Sequence, residues 1–241
     1  MIPYSDPSEP DRVFPYVNIG LIVVNFLVFF YELSLQAHGA ASFDSFVSDF
    51  GIVPCEYTRQ CIPYIGTPTL LATTLLTSMF MHAGWLHILG NMLFLWVFGD
   101  NIENSMGHLR YLVFYLLCGL GASALEIVTA ANSTAPGLGA SGAIAGVLGA
   151  YLMLYPTSRI RTLIPVIVIL FPVRLPAWVL IGFWFILQLT DGLAALGNTA
   201  TNTGGVAYWA HVGGFITGIL LIWVFRHPER VTRMQAYHAP T

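Results

Sequence analysis

Three groups of polar residues lie inside apolar stretches of this sequence, and together they could perform nucleophilic chemistry. Ser141 stands in the glycine-rich run GLGASGAIAG, and His211 stands in WAHVGGFITG. A serine hydroxyl is a weak nucleophile until a base accepts its proton, and neutral imidazole can do so near pH 7. His87 and Asn91 are four residues apart, hence on one helical face, and carry hydrogen-bond donors. With the backbone amide of Ser141, these donors could stabilise a tetrahedral oxyanion.

The sequence offers His211 no acidic partner, so we predict a two-residue dyad rather than a triad. We expect Asp191 to lie about a full span away in depth. A structural interpretation stands beside the catalytic one, because glycine-rich membrane helices commonly serve close packing and a membrane histidine commonly serves as a hydrogen-bond partner. We place His82 in that structural class as an interfacial histidine. Four further residues are expected to be interhelical hydrogen-bonders or interface anchors: Asn18, Asn25, Glu32 and Glu126.

The composition requires these groups to be positioned inside a membrane. Of 241 residues, 56% are hydrophobic and only 9% are charged, with a mean hydropathy of +0.72. A soluble domain carries about a quarter charged residues to cover its surface. A water-soluble enzyme, a nucleic-acid binder and a disordered tail are therefore excluded. The chain is predicted to be an all-α polytopic protein whose immediate partner is the lipid bilayer.

Apolar stretches of helical length predict six transmembrane helices, because about 20 residues cross the hydrocarbon core. The predicted spans are 17–35, 85–98, 109–129, 141–154, 176–196 and 209–225. The region 69–81 is expected to form an interfacial or partly buried helix. Within the stretch 160–175, the apolar run 162–173 is only 12 residues long and has arginines on both sides, so we interpret the stretch as a loop with a short apolar or β-like piece packed against the bundle.

The arginines set the predicted orientation. With a cytoplasmic N-terminus, eight of the nine arginines lie inside and only Arg59 lies outside, as the positive-inside rule favours. This divides the chain into a cytoplasmic tail (1–16), a membrane domain (17–225) and a second cytoplasmic tail (226–241). The short tails and the lack of a targeting segment favour a prokaryotic plasma membrane.

A long outer loop, 36–84, separates the first two spans. It contains Cys55 and Cys61, which are either a disulfide or two unrelated thiols. Cys118 lies within the third span and is expected to be a small packing residue.

This topology places the polar groups at one depth. Spans two, four and six all run from outside to inside, and each carries its polar group near its first turn. His87, Ser141 and His211 therefore share one layer just below the outer face. Small residues allow two helices to approach closely in a membrane. Such a stripe is present on spans four and six, in Gly139, Gly142, Gly146, Gly214 and Gly218, so we predict that these spans bring Ser141 to His211.

The three motifs in this order resemble those of the rhomboid intramembrane serine proteases. The motifs are His87-xxx-Asn91, Gly139-Ala-Ser141-Gly and Ala-His211-xx-Gly-xxx-Gly, and the resemblance covers about residues 50–225. It implies a bundle of six transmembrane helices in which Ser141 is the nucleophile, His211 the base, and His87 and Asn91 part of the oxyanion hole. It further implies cleavage of single-span membrane proteins without metal or cofactor, at a site open to the outer face. Span five and the following loop, 197–208, would gate substrate entry.

Two departures from the family pattern are visible. The outer loop lacks the Trp-Arg pair of many rhomboids, and Ala145 stands where a tyrosine often stacks on the catalytic histidine. Two rival functions stay open, a six-span transporter or channel and a non-catalytic rhomboid-like chaperone or trafficking factor. A transporter would more often show inverted repeats and broken helices at the midplane. An inactive homologue typically lacks the serine or the histidine, and this chain has both.

Overall fold

The computed structural model describes residues 1–7, 13–61, 71–166, 169–197 and 207–238. The elements in chain order are β1 (Ile2–Ser5), α1 (Tyr16–His38), α2 (Ala40–Phe50), α3 (Pro54–Tyr57), α4 (Leu71–Thr77), a 3₁₀ turn (Ser78–Phe80), α5 (Trp85–Met106), α6 (His108–Thr129), α7 (Ser141–Leu154), β2 (Arg159–Val166), β3 (Ile169–Pro176), α8 (Ala177–Gly197), α9 (Tyr208–Phe225) and α10 (Pro228–His238).

The helices form a polytopic membrane bundle, which confirms the predicted class. Within the described ranges, four helices are long and apolar enough to cross a bilayer: α1, α6, α8 and α9. A fifth candidate crossing is α5 taken together with α4 and its 3₁₀ turn, which meet it at a bend of 83°. The 14 residues of α7 rise only about 21 Å, short of the hydrocarbon thickness of about 30 Å. The short α7 is instead surrounded by α5, α6 and α9, and most of its residues are buried.

Helix α5 is longer than the sequence predicted. Its span was expected to end at residue 98, yet the helix continues to Met106 and buries the polar run from Gly99 onward. The Glu103 carboxylate explains this, because it accepts hydrogen bonds from the backbone N–H groups of Val17 (3.0 Å) and Asn18 (2.7 Å). Those donors belong to the first turn of α1, which has no intrahelical acceptors for them. The polar end of α5 therefore caps the neighbouring helix rather than forming a loop.

A three-stranded antiparallel sheet occupies the region predicted as a loop and adds β-structure to the helical class. Strands β2 and β3 form a hairpin, and β1 pairs with β2 in the register Ile2↔Leu163 and Pro3↔Thr162. The segment 1–16, expected to be a tail, thus supplies a strand, because an unpaired hairpin edge is a ready template for another strand. The segment 226–241 likewise supplies α10, which packs against α5 through Met234 and Asn104.

The outer loop is tied to the segment that precedes Ser141. A disulfide joins Cys55 and Cys61, which decides between the two alternatives left open by the sequence. Ile52 and Gly137 exchange two backbone hydrogen bonds (2.9 and 2.7 Å), and the Gly139 N–H donates to the Ser78 carbonyl oxygen (2.8 Å). The loop therefore fixes the approach of the chain to α7. Residues 62–70 of this predicted loop, and 198–206 of the predicted gate, lie outside the described residues.

Candidate active site

The structure brings Ser141 and His211 into direct contact. Ser141 is the first residue of α7, and His211 lies in the first turn of α9. The Nε2 atom of His211 is 2.7 Å from the Oγ atom of Ser141, a normal hydrogen-bond distance. His211 is only 8% exposed. A hydroxyl and an imidazole in this arrangement can act as nucleophile and base.

Glycines allow α7 and α9 to approach closely enough for this contact. A Cβ atom added to Gly214 would overlap the Gly142 carbonyl oxygen, and one added to Gly218 would overlap the Gly146 backbone. Behind them, a Cβ atom at Gly146 would overlap Cys118 of α6. The clashes at Gly214 and Gly218 involve backbone atoms, which cannot move aside as a flexible side chain can. Gly142, Gly146, Gly214 and Gly218 therefore lie at the α7–α9 contact, whereas Gly139, predicted to belong to the same close-packing set, precedes α7 and faces His87 of α5 instead. Cys118 is a buried packing residue.

Gly139 allows His87 to lie beside Ser141. Its φ of +130° lies in the region that favours glycine, and a Cβ atom there would be 2.8 Å from His87 Nε2 and 3.6 Å from Ser141 Oγ. The Ala83 N–H donates to His87 Nδ1 at 3.4 Å. A ring nitrogen that accepts a hydrogen bond leaves the proton on the other nitrogen, so His87 Nε2 is a donor directed toward Gly139 and Ser141.

Asn91 supplies a second donor near this layer. It follows His87 by one helical turn, is 8% exposed, and its buried Nδ2 atom has no hydrogen-bond partner among the described residues. Buried amide groups are nearly always hydrogen-bonded, so an unpartnered donor calls for an explanation. The N–H of Ser141 is a third donor, because the first N–H groups of a helix lack intrahelical acceptors. The three groups suit an acceptor that bears negative charge.

Sequence reasoning missed Gln188 of α8. Its Oε1 atom is 2.6 Å from His211 Nδ1, on the opposite side of the ring from Ser141. The signal available in the sequence is a polar side chain after the apolar run 177–187, and a neutral amide can partner an imidazole as an acid can. The expectation for Asp191 was wrong, because it lies in the turn of α8 that follows Gln188 rather than a full span away. The reason is that α8 runs toward the layer that holds His211.

The other buried polar residues mostly hold helices together, as the structural interpretation expected. Glu126 accepts the Ala210 N–H at 3.2 Å, so an acidic group does lie beside His211 but bonds the backbone rather than the ring. Glu32 accepts the His82 N–H at 3.1 and 3.2 Å through its two oxygens. His82 itself is fully buried rather than interfacial, with its ring centroid 5.0 Å from that of His87.

Asn18 and Asn25, both in α1, form hydrogen bonds with different kinds of partner. Asn18 donates to the Leu95 carbonyl oxygen of α5 and accepts the Tyr111 hydroxyl of α6, so it joins three helices. Asn25, expected to be an interhelical hydrogen-bonder or an interface anchor, donates instead to Leu21 of its own helix.

An aromatic ring from α8 packs near His211. Ala145 is fully buried in α7 and offers no ring, whereas the Trp184 ring centroid is 5.7 Å from that of His211 at an interplanar angle of 40°. Trp184 and Gln188 are one turn apart on α8, so a single face of this helix supports the imidazole.

A small cavity adjoins Ser141. Its lining includes Gly119 and Ala122 from α6, together with the polar groups Ser123, Glu126 and Ser78. Over the described ranges, no group of three or more His, Cys, Asp or Glu side chains is arranged to hold a metal ion.

Comparison with known proteins agrees with this architecture. The Rhomboid domain family model matches residues 71–228. Rhomboid protein 1, mitochondrial, of Saccharomyces cerevisiae is 29% identical over 205 residues, covering 79% of this chain and 50% of the yeast protein. The presenilin-associated rhomboid-like protein, mitochondrial, of Mus musculus is 31% identical over 175 residues, covering 66% of this chain and 41% of its own length. Rhomboid protease GluP of Bacillus subtilis is 33% identical over 147 residues, covering 60% of this chain and 24% of its own length.

The fold and the buried polar layer define a polytopic helical membrane protein with a serine–histidine pair. The family model covers more than half of the residues. This chain therefore belongs to the rhomboid family. It spans half the length, or less, of these curated relatives.

Proposed function

We propose that this protein is an intramembrane serine endopeptidase that cleaves single-span membrane proteins in or next to their transmembrane segments. The observation that carries the proposal is the 2.7 Å contact between Ser141 Oγ and His211 Nε2, and the unpartnered Nδ2 of Asn91, one helical turn after His87, supports it. A histidine that served only helix packing would need a hydrogen-bond partner but no unpartnered donor in the same site. The presence of a named protease among the relatives supports the assignment at family level.

In the proposed reaction, Ser141 Oγ attacks the scissile carbonyl carbon while its proton passes to His211 Nε2. The carbonyl oxygen becomes an oxyanion that accepts hydrogen bonds from the Ser141 N–H, His87 Nε2 and Asn91 Nδ2. Collapse of this intermediate breaks the peptide C–N bond, and His211 returns its proton to the leaving amine. Water then attacks the acyl ester with His211 again as base, which releases the carboxylate and regenerates the serine.

The site restricts which substrates can react. A helical peptide bond is shielded by its neighbours, so the substrate helix must unwind locally before Ser141 reaches a carbonyl carbon. The adjoining cavity is narrow and lined in part by Gly119 and Ala122, which supports small side chains next to the cleaved bond. We therefore expect cleavage near the outer end of transmembrane segments that contain small or helix-destabilising residues.

We propose a prokaryotic plasma membrane as the location, with both termini in the cytoplasm and the site open to the outer face. The arginine distribution supports the orientation. Among the relatives, mitochondrial proteins occur beside a bacterial one. The orientation can be measured with single cysteines at Ser42 and Thr232 in right-side-out vesicles. An impermeant maleimide should label the first position only, and labelling of the second alone would reverse the topology.

The function is tested by reconstituting the chain in liposomes with a single-span reporter substrate. The parent chain should release two fragments, whereas Ser141→Ala and His211→Ala should each lower the rate by at least about 10³-fold. Ser34→Ala, an exposed position on α1 outside the predicted gate, is the control and should cleave at the parent rate. Equal cleavage by the parent and Ser141→Ala would refute the assignment. Absence of cleavage by a folded parent chain, over a panel of reporters with small residues, would favour the non-catalytic chaperone or trafficking factor.

A further inference from the structure

We propose that Gln188 is a positioning residue that holds His211 in the tautomer required of a general base. The inference rests on the proposed function and adds a third member to the predicted dyad. It starts from the 2.6 Å contact between Gln188 Oε1 and His211 Nδ1. Both side chains are 8% exposed, so water has little access to replace the contact.

The orientation of the Gln188 amide decides which ring nitrogen carries the proton. Its Nε2 atom lies 3.5 Å from the Trp184 carbonyl oxygen one turn earlier, a long hydrogen bond that directs the NH₂ group away from His211. The Oε1 atom then faces the imidazole, and a carbonyl oxygen can only accept. His211 Nδ1 must therefore carry hydrogen, and Nε2 presents its lone pair to the Ser141 hydroxyl.

The opposite tautomer would disable the pair. With hydrogen on Nε2, His211 would donate to Ser141 and could not accept its proton, as catalysis requires. The other polar groups near the ring do not fix the tautomer. Glu126 of α6 bonds the Ala210 N–H, and His87 of α5 is directed toward Gly139. Among the described contacts, only Gln188 bonds Nδ1.

A neutral amide differs from a carboxylate in what it does to the ring. A carboxylate would orient the imidazole and also stabilise its protonated form by charge. The Gln188 amide orients it without adding an uncompensated charge to the bundle, where ionised groups are expensive. This separation of orientation from charge makes the role testable by two substitutions of similar length.

The experiment compares Gln188→Met and Gln188→Glu with the parent in the liposome assay. Methionine keeps the length but has no strong acceptor, so kcat should fall by about 10²-fold while KM changes by less than about twofold. Glutamate keeps an acceptor oxygen and should restore kcat to within about tenfold of the parent. Its charge should also move the acidic limb of the kcat profile to higher pH, because a carboxylate favours imidazolium. Ser34→Ala, on α1 and outside the predicted gate, is the control, and thermal unfolding in detergent reports the fold of each variant.

The outcomes separate the two proposals. Activity of Gln188→Met within about twofold of the parent, with Ser141→Ala inactive, would overturn the positioning role and leave the protease assignment intact. Loss of activity in both Gln188 variants with a matching fall in thermal stability would assign Gln188 to packing and also overturn the inference. A folded parent chain no more active than Ser141→Ala would overturn both proposals.

Discussion

Replacing Gly139 by alanine tests the oxyanion geometry more selectively than removing a reacting group. The new Cβ atom would lie 2.8 Å from His87 Nε2, whereas ordinary van der Waals contact begins at 3.4 Å. The ring must therefore retreat by about 0.6 Å. A donor placed 2.9 Å from an oxyanion would then stand about 3.5 Å away, which is outside the range of an effective hydrogen bond.

The expected loss follows from that displacement. Removing one oxyanion donor lowers kcat by about 10²- to 10³-fold, or about 2.7–4 kcal/mol of transition-state stabilisation. KM should change far less, because the interaction is made mainly in the transition state. Alanine at a φ of +130° adds backbone strain of about 1–3 kcal/mol, so thermal unfolding in detergent must be recorded beside the kinetics.

The assay measures kcat and KM for a single-span reporter in liposomes with the parent, Gly139→Ala and Gly137→Ala. Gly137 is the matched control, because it lies in the same segment and a Cβ atom there would meet only the Ile52 carbonyl oxygen at 3.6 Å. The control should keep parent activity. A kcat for Gly139→Ala within about twofold of the parent would refute the assignment of His87 as a donor at this site.

Three further predictions concern stability. Gly214→Ala should destabilise the bundle by about 1–3 kcal/mol, because its Cβ atom overlaps the Gly142 carbonyl oxygen. Gly90→Ala is the control and should not destabilise it, because the space around Gly90 is open. Urea or heat titration in detergent compares the two variants, and equal unfolding midpoints would contradict the close α7–α9 packing. Glu103→Ala should lower stability by about 1–3 kcal/mol, since two N–H groups of α1 lose their acceptor, and an unchanged thermal midpoint would contradict the capping role. Reducing the Cys55–Cys61 disulfide should lower the free energy of unfolding by about 2 kcal/mol. Fluorophosphonate labelling of the protein that is still folded should stay unchanged. Loss of labelling without unfolding would show that the disulfide shapes the site.

The membrane helices could be predicted well because their signal is local. The backbone N–H and C=O groups of an apolar run in lipid must be hydrogen-bonded within the run, so it folds as a helix. Hydropathy alone therefore predicts the first residues of α6, α7 and α9 to within one residue of those observed. Ser141 and His211 could be placed in one layer for the same reason, since their depth follows from the direction of each span. Their contact is a consequence of that layer and of glycines visible in the sequence.

What the sequence did not predict depends on partners distant in the chain. The polar end of α5 resembles a loop unless one knows that Glu103 meets the start of α1, 86 residues away. The N-terminal strand depends likewise on a hairpin more than 150 residues further on. Gln188 was missed for a chemical reason, because a neutral amide was not considered as a partner for His211. A polar side chain within a transmembrane helix should have been questioned regardless of its charge.

The central claim is that Ser141 is a nucleophile activated by His211. The most direct measurement is mass-spectrometric mapping of the residue modified by a fluorophosphonate probe in the folded protein in detergent. We predict one adduct on Ser141 that disappears in Ser141→Ala and forms at least about 10²-fold more slowly in His211→Ala. An adduct on another residue, or equal labelling of parent and His211→Ala, would contradict the account.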